Sequence, residues 1–261
     1  MSTAPLLIDT PADGVRLVTV NRPDKLNALD TATLDALRAA FDTAAGDPAV
    51  RVVVLTGAGG KAFVAGADIG EMNGLSPVEG RDFSLRGQRM MRGVERMPKP
   101  VIAAINGFAL GGGLELAMCC HLRIAADSAK LGQPEINLGL IPGFGGSQRL
   151  LRLAGRAATL ELCLGGAPIG AERARELGIV NRVVPAAELM AETMKLATQL
   201  ATAAPLALRA LLDCVNIGGE CGIEEGLEYE SAQFGLVFST EDMREGTAAF
   251  LEKRMPVFKG R

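Results

Sequence analysis

Short, β-branched apolar runs that alternate with helical patterns over the first 130 residues constrain this chain more than anything else in it. Leu6–Asp9 and Val15–Val20 read as strands joined through the turn residues Ala12-Asp13-Gly14. Asp30 is placed to N-cap a helix running to Ala44, with Leu34, Leu37 and Phe41 on one face. Val50–Thr56 is a continuous apolar run ending at glycines, the signature of a strand buried on both faces. Val101–Ile105 follows the breaker Pro98-Lys99-Pro100, and Arg123–Ala126 gives a further strand. Helices are expected between them over Pro77–Arg96 and Gly112–Cys120. Such alternation predicts an α/β core with parallel or mixed crossovers. After about residue 185 the strand signal stops, and helices are expected over Glu188–Thr202, Leu206–Val215, Ile223–Phe238 and Asp242–Phe250. The closing Pro256–Arg261 reads as a tail, either frayed or docked onto a neighbour.

Composition narrows the chemistry. A net charge of −3 without a basic block argues against a nucleic-acid or anionic-membrane surface. The single histidine, His121, leaves no multi-histidine metal site, so acid–base work falls to carboxylates; no metal is expected. His121 itself sits where a helix gives way to a strand and reads as structural. Five cysteines with no CxxC pair suit reduced, buried thiols in a reducing compartment. Met1–Thr10 carries neither a signal-peptide nor a transit-peptide pattern, and no apolar run is long enough to span a membrane. A cytoplasmic location is expected.

Two motifs fail on context. Gly57-Ala58-Gly59-Gly60-Lys61-Ala62 matches a dinucleotide fingerprint formally, but a turn-rich stretch follows where a helix is required. No G-x-S-x-G elbow exists. Arg86, Arg89, Arg92 and Arg96 recur at helical spacing as a solvated face, while Met90, Met91 and Met97 suit a core-facing one.

Three segments carry chemistry: Lys61–Asp68 (KAFVAGAD), Ile105–Leu116 (INGFALGGGLEL) and Leu131–Gly146 (LGQPEINLGLIPGFGG). In the second, a strand runs through three glycines into a helix start. Glycines let the backbone approach a ligand, and the unpaired N–H groups of a first helical turn suit an oxygen that gains negative charge. Glu115 lies in that turn, either as a reacting group or simply complementing the helix dipole. Glu135 follows a proline and is either solvated or a second reacting carboxylate. Its separation of 20 residues from Glu115 is compatible with a return to the same end of a sheet.

Taken together, these segments resemble the crotonase (enoyl-CoA hydratase/isomerase) superfamily. The likeness runs from NRPDKLNAL at Asn21–Leu29 to the FLEKRMPVFKGR ending, and is most specific over Asn106–Leu150. The resemblance implies a spiral of ββα turns in residues 1–190 and a helical region in 191–261 that builds homotrimers or homohexamers. It implies acyl-CoA thioester substrates, coenzyme A being part of the substrate and no separate cofactor being needed. Glu115 and Glu135 match the catalytic carboxylates, and Ala67 and Gly112 the amides of an oxyanion hole. Lys25, Leu26, Asn27 and Ala28, the strip Ala65, Gly66, Asp68, Ile69 and Gly70, and Gly111, Gly143 and Phe144 match substrate-binding positions. The implied reaction is hydration of 2-enoyl-CoA. A double-bond isomerase using one glutamate and a non-catalytic acyl-CoA- or RNA-binding scaffold are the alternatives. Gly70 stands where many relatives have Lys, and Phe144 where a small residue is frequent; its ring either narrows the acyl pocket or belongs to the core.

Overall fold

The computed structural model describes residues 4–261 and forms two sheets. Met1–Thr3, part of the stretch read for targeting signals, lie outside the described residues. The chain opens with β1 (Leu6–Ala12), β2 (Val15–Val20), α1 (Thr31–Gly46), β3 (Val52–Gly57), β4 (Ala62–Val64), α2 (Ile69–Met72) and α3 (Pro77–Glu95). It continues with β5 (Val101–Ile105), β6 (Phe108–Leu110), α4 (Gly112–Cys119), β7 (Leu122–Ala126), β8 (Lys130–Gly132) and, past a 3-10 turn at Pro134–Leu138, α5 (Gly146–Gly165). Then follow β9 (Ile169–Gly170), α6 (Ala171–Glu176), β10 (Arg182–Val184), α7 (Leu189–Ala201), α8 (Pro205–Gly218), α9 (Ile223–Val237) and α10 (Glu241–Glu252).

The larger sheet has the order β1-β2-β3-β5-β7-β10, parallel except for the β1–β2 hairpin. The smaller has the order β4-β6-β8-β9, with β8–β9 antiparallel. In each of the pairs β3/β4, β5/β6 and β7/β8 the first strand joins the large sheet and the second the small one, after which helix carries the chain back. That repeat is a ββα spiral. Every residue of β3 and β5 is buried, which is why these strands read as unbroken apolar runs. Asp30 caps α1 by accepting from Thr33 N–H at 2.8 Å, and Leu34, Leu37 and Phe41 are buried as their spacing predicts.

The sequence pattern leaves β6, β8 and β9 and the whole stretch from α5 to β10 unassigned. Two- and three-residue strands are too short to show a period. In α5 the helical backbone is interrupted at Gly155 (φ 76°, ψ 173°), which splits its apolar stripe.

Helix α7 lies across β2, β3, β5 and β7 with Leu189, Thr193 and Ala197 buried. By contrast α8 and α9 bury no residue at all, and Leu211, Val215, Ile223, Leu227 and Phe234 are each more than half exposed. The tail docks on its own chain: the buried Asp242 carboxylate accepts from Lys259 N–H at 2.6 Å and Gly260 N–H at 2.8 Å. Among the described residues no single helix is long and apolar enough to cross a membrane.

Candidate active site

Helix α4 is buried along its full length, and Glu115 is its one charged residue, 1% exposed. An ionised carboxylate in such a place is costly unless it is hydrogen-bonded. Here Oε1 accepts from Phe144 N–H at 2.8 Å and Gly146 N–H at 2.6 Å, both in the loop that enters α5. Burial pushes the Glu115 pKa up to about 7; the Glu135 charge adds to the rise, and the two N–H donors and Arg149 oppose it. Glu135 stands in the 3-10 turn after β8, and burial raises its pKa also. Its carboxylate lies directly against Gly111, where a methyl group would stand 2.7 Å from Oε1. Gln133, fully buried, donates to both oxygens of Glu135 at 2.9 and 3.1 Å once its amide nitrogen is turned toward them.

The two carboxylates line one cavity of about 1040 Å³ together with Ala65, Gly66, Ala67, Gly111 and Gly112. Parallel-bridge bonds Leu29 N–H to Gly66 C=O and Asp68 N–H to Leu29 C=O, both 2.8 Å, flank Ala67 and turn its own N–H away from Leu29. On that side stands the start of α4: a methyl on Gly112 would sit 3.3 Å from Ala67 N. Gly112 is the first residue of its helix, so its N–H has no partner one turn back. Among the described residues, neither N–H donates to a protein acceptor.

Of the remaining residues singled out from sequence, Ile69, Gly143 and Phe144 also line the cavity. Phe144 meets both readings of it: the ring is 3% exposed and packs on Phe83 with centroids 5.3 Å apart, yet it forms cavity wall. Lys25, Leu26, Asn27, Ala28, Asp68 and Gly70 do not line the cavity. Asn27 is engaged within the fold through its side chain. It is fully buried in the left-handed region (φ 60°), its Oδ1 accepts from Arg22 N–H, and its Nδ2 donates to Ala58 and Ala62 carbonyls at 2.9 Å. The side chain ties the loop to the β3–β4 turn. Asp68 is likewise engaged, capping α2 through Gly70 N–H and pairing with Arg22 at 3.0 Å. Asn27→Ala strands buried carbonyls, each worth about 1–3 kcal/mol when unsatisfied, so thermal unfolding should shift down clearly. A melting temperature within a degree or so of the parent would contradict this role.

His121 is structural: Nδ1 accepts from Val101 N–H at 2.9 Å, which puts its proton on Nε2 facing Glu95 C=O at 3.2 Å. The residues that sequence reasoning missed are Gln133, Glu95 and Arg149. Glu95 and Arg149 lie 54 residues apart, and nothing local marks either as a partner of the other.

The raised Glu115 pKa has a stability consequence with a definite sign. The folded state holds this proton more tightly than the unfolded chain does. The stabilising contribution is therefore complete below the ordinary carboxylate value of 4.5 and lost as pH rises through about 7. At pH 8 the buried charge costs on the order of 3 kcal/mol. Glu115→Gln should accordingly denature at higher urea than the parent at pH 8, with the gap shrinking towards pH 5. Coincident curves at pH 8 would remove the cost.

A family model described as Enoyl-CoA hydratase/isomerase matches residues 10–261. A short-chain-enoyl-CoA hydratase of Clostridium acetobutylicum is 46% identical over 240 residues, 92% of each chain. A crotonyl-CoA hydratase of Syntrophomonas wolfei subsp. wolfei is 48% identical over 239 residues, again 92% of each. The crystal structure of an enoyl-CoA hydratase from Bacillus anthracis matches with a TM-score of 0.95 at 40% identity, covering 98% of this chain and 100% of that one. A carboxylate pair, one member buried and one half-buried, set beside two unpaired amides is thus housed in a fold and sequence shared with these proteins, and the chain belongs to the enoyl-CoA hydratase/isomerase family.

Proposed function

We propose that this protein adds water reversibly across the C2=C3 bond of 2-enoyl-CoA thioesters to give 3-hydroxyacyl-CoA. One observation carries the reading: a buried and a half-buried carboxylate from different elements share a cavity with two main-chain N–H groups that have no protein acceptor. Conjugation with the thioester makes C3 electrophilic, and attack there drives charge onto the thioester oxygen. Ala67 and Gly112 N–H receive that oxygen, a stabilisation that grows as the charge develops. Glu115, oriented through Oε1, takes a proton from the water whose oxygen bonds to C3. Glu135, whose pKa burial raises, gives its proton to C2 from its protonated form. One proton is gained and one lost, so the pair returns to its starting state by exchange with solvent.

Hydration is redox-neutral and calls for no electron carrier. The Phe83–Phe144 wall, with the short-chain and crotonyl substrates in the names of the two relatives above, supports short acyl chains. The bare apolar faces of α8 and α9 support assembly into homotrimers or homohexamers. On this reading residues 1–190 form the acyl-CoA core and 191–261 the assembly region, with α7 anchoring one to the other. Five free thiols support a reducing, cytoplasmic setting.

The test is loss of the conjugated-thioester absorbance of crotonyl-CoA, with chromatography identifying 3-hydroxybutyryl-CoA. Absence of that product, with double-bond migration on a 3-enoyl-CoA instead, would replace hydration by isomerisation.

A further inference from the structure

The Glu115 carboxylate is held by a loop that cannot hold itself. Gly143-Phe144-Gly145-Gly146 is mostly glycine, and Gly145 takes a φ of 103°, open to few other residues. What fixes its main chain comes from elsewhere. Arg149, in the first turn of α5, donates from Nη1 to Phe144 C=O at 2.8 Å, while the N–H of that same residue points at Glu115. Arg149 is itself clamped in a two-pronged pair with Glu95 at the end of α3, Nε to Oε1 at 3.1 Å and Nη2 to Oε2 at 3.2 Å. The Glu95 main chain is pinned in turn, its carbonyl accepting from His121 Nε2 and from Asn216 Nδ2 of α8 at 2.8 Å. The Arg149 side chain is 13% exposed and that of Glu95 37%, so the pair is partly sheltered and is screened less than one on the open surface.

We propose that Arg149, locked by Glu95, is a positioning residue that holds the Phe144–Gly146 main chain on Glu115 and sets the field the carboxylate titrates in. The proposal rests on the hydratase reading for its kinetic arm alone. Lysine cannot replace this arginine fully, since one ammonium lacks the planar fork that reaches Glu95 and the Phe144 carbonyl together. The charged or titratable groups facing Glu115 are Glu135 from the 3-10 turn, Cys119 on its own helix, Cys163 and Arg149 on α5, and Glu95 behind Arg149. Arg149 is the only cation among them. Its removal leaves Glu115 facing anions and a slack loop, whereas removal of the Glu95 charge leaves Arg149 unneutralised.

The two changes therefore move the same titration in opposite directions. Arg149→Met should lower kcat about 10–100-fold, the scale of a misplaced reacting group, with KM nearly unchanged. It should also move the Glu115 titration to higher pH by about 0.5–1 unit. Glu95→Gln should move it to lower pH, and Arg149→Lys should leave it near the parent position with an intermediate kcat. The titration is read directly from the ¹³C shift of the Glu115 carboxyl in the full chain without substrate. A protein that hydrates nothing would still answer the question, so failure of the hydratase reading and failure of this one are distinct. If Arg149→Met does not fold, Glu95→Gln and Arg149→Lys carry the test. A carboxyl titration unmoved by Glu95→Gln, or displaced the same way by both charge removals, overturns the proposal.

Discussion

Glu115→Gln and Glu135→Gln should each lower kcat for crotonyl-CoA hydration by about 10²–10⁴-fold, the range supplied by one positioned acid or base. Glutamine keeps the shape of each side chain. In place of Glu115 its carbonyl oxygen can still accept from Phe144 and Gly146, so the loop and the cavity wall should survive. Only proton transfer is lost. The two variants are told apart by a reaction that needs one carboxyl alone, exchange of the C2 protons of butyryl-CoA with D₂O. Glu135 faces the C2 side in the proposed arrangement, so exchange should persist in Glu115→Gln and vanish in Glu135→Gln. The double variant should be scarcely slower than the worse single one, since groups that act as a unit do not add. Near-parental hydration in either single variant would sink the assignment of these carboxylates.

The same pair sets the working pH range. Glu115 must be charged to accept a proton, so hydration should fall as pH drops through about 7. Glu135 must be protonated to donate one, so activity should fall again at higher pH, its burial having raised its pKa. Two neighbouring carboxyls titrate as a pair, and the two limbs belong to the pair. Replacing Glu135 by Gln removes a carboxyl whose charge, when it ionises, raises the Glu115 pKa, and should carry the acidic limb of residual activity downward.

How much of this was legible in the sequence follows from where the information lies. Strands β3 and β5 were readable because burial on both faces forces an unbroken apolar run, and α1 because its cap and its apolar face agree. Most of the small sheet was not, since β6, β8 and β9 have two or three residues each and are defined by what they pair with. Glu115 and Glu135 stood out by their glycine- and proline-marked settings and by the family likeness. That likeness also pointed to Asn27 and Asp68, whose polar side chains bond within the fold, Asn27 to the β3–β4 turn and Asp68 to Gly70 and Arg22. Arg149 and Glu95 were silent because an ion pair between α5 and α3 leaves no trace in the spacing of either helix.

Gly112→Pro should lower kcat about 10²–10³-fold, the cost of one oxyanion donor, while the protein stays folded. Proline deletes the one N–H assigned to the thioester oxygen at this position. It does so where the fold tolerates it: Gly112 is the first residue of α4, a place where the missing N–H breaks no helical bond and a fixed φ suits the helix. The preceding Gly111 has φ 50° and ψ −122°, a conformation that lacks a Cβ to collide with the proline ring. The added Cβ meets Ala67 N and the Phe144 ring at 3.3 Å, contacts that ask for a shift of a few tenths of an ångström. The loss should fall on kcat more than on KM, because the hydrogen bond strengthens as charge reaches the oxygen. Gly112→Ala is the control, adding the same Cβ while keeping the N–H. If alanine and proline slow the reaction equally, crowding explains the loss; if neither slows it by as much as tenfold, the thioester oxygen is held somewhere other than between Ala67 and Gly112.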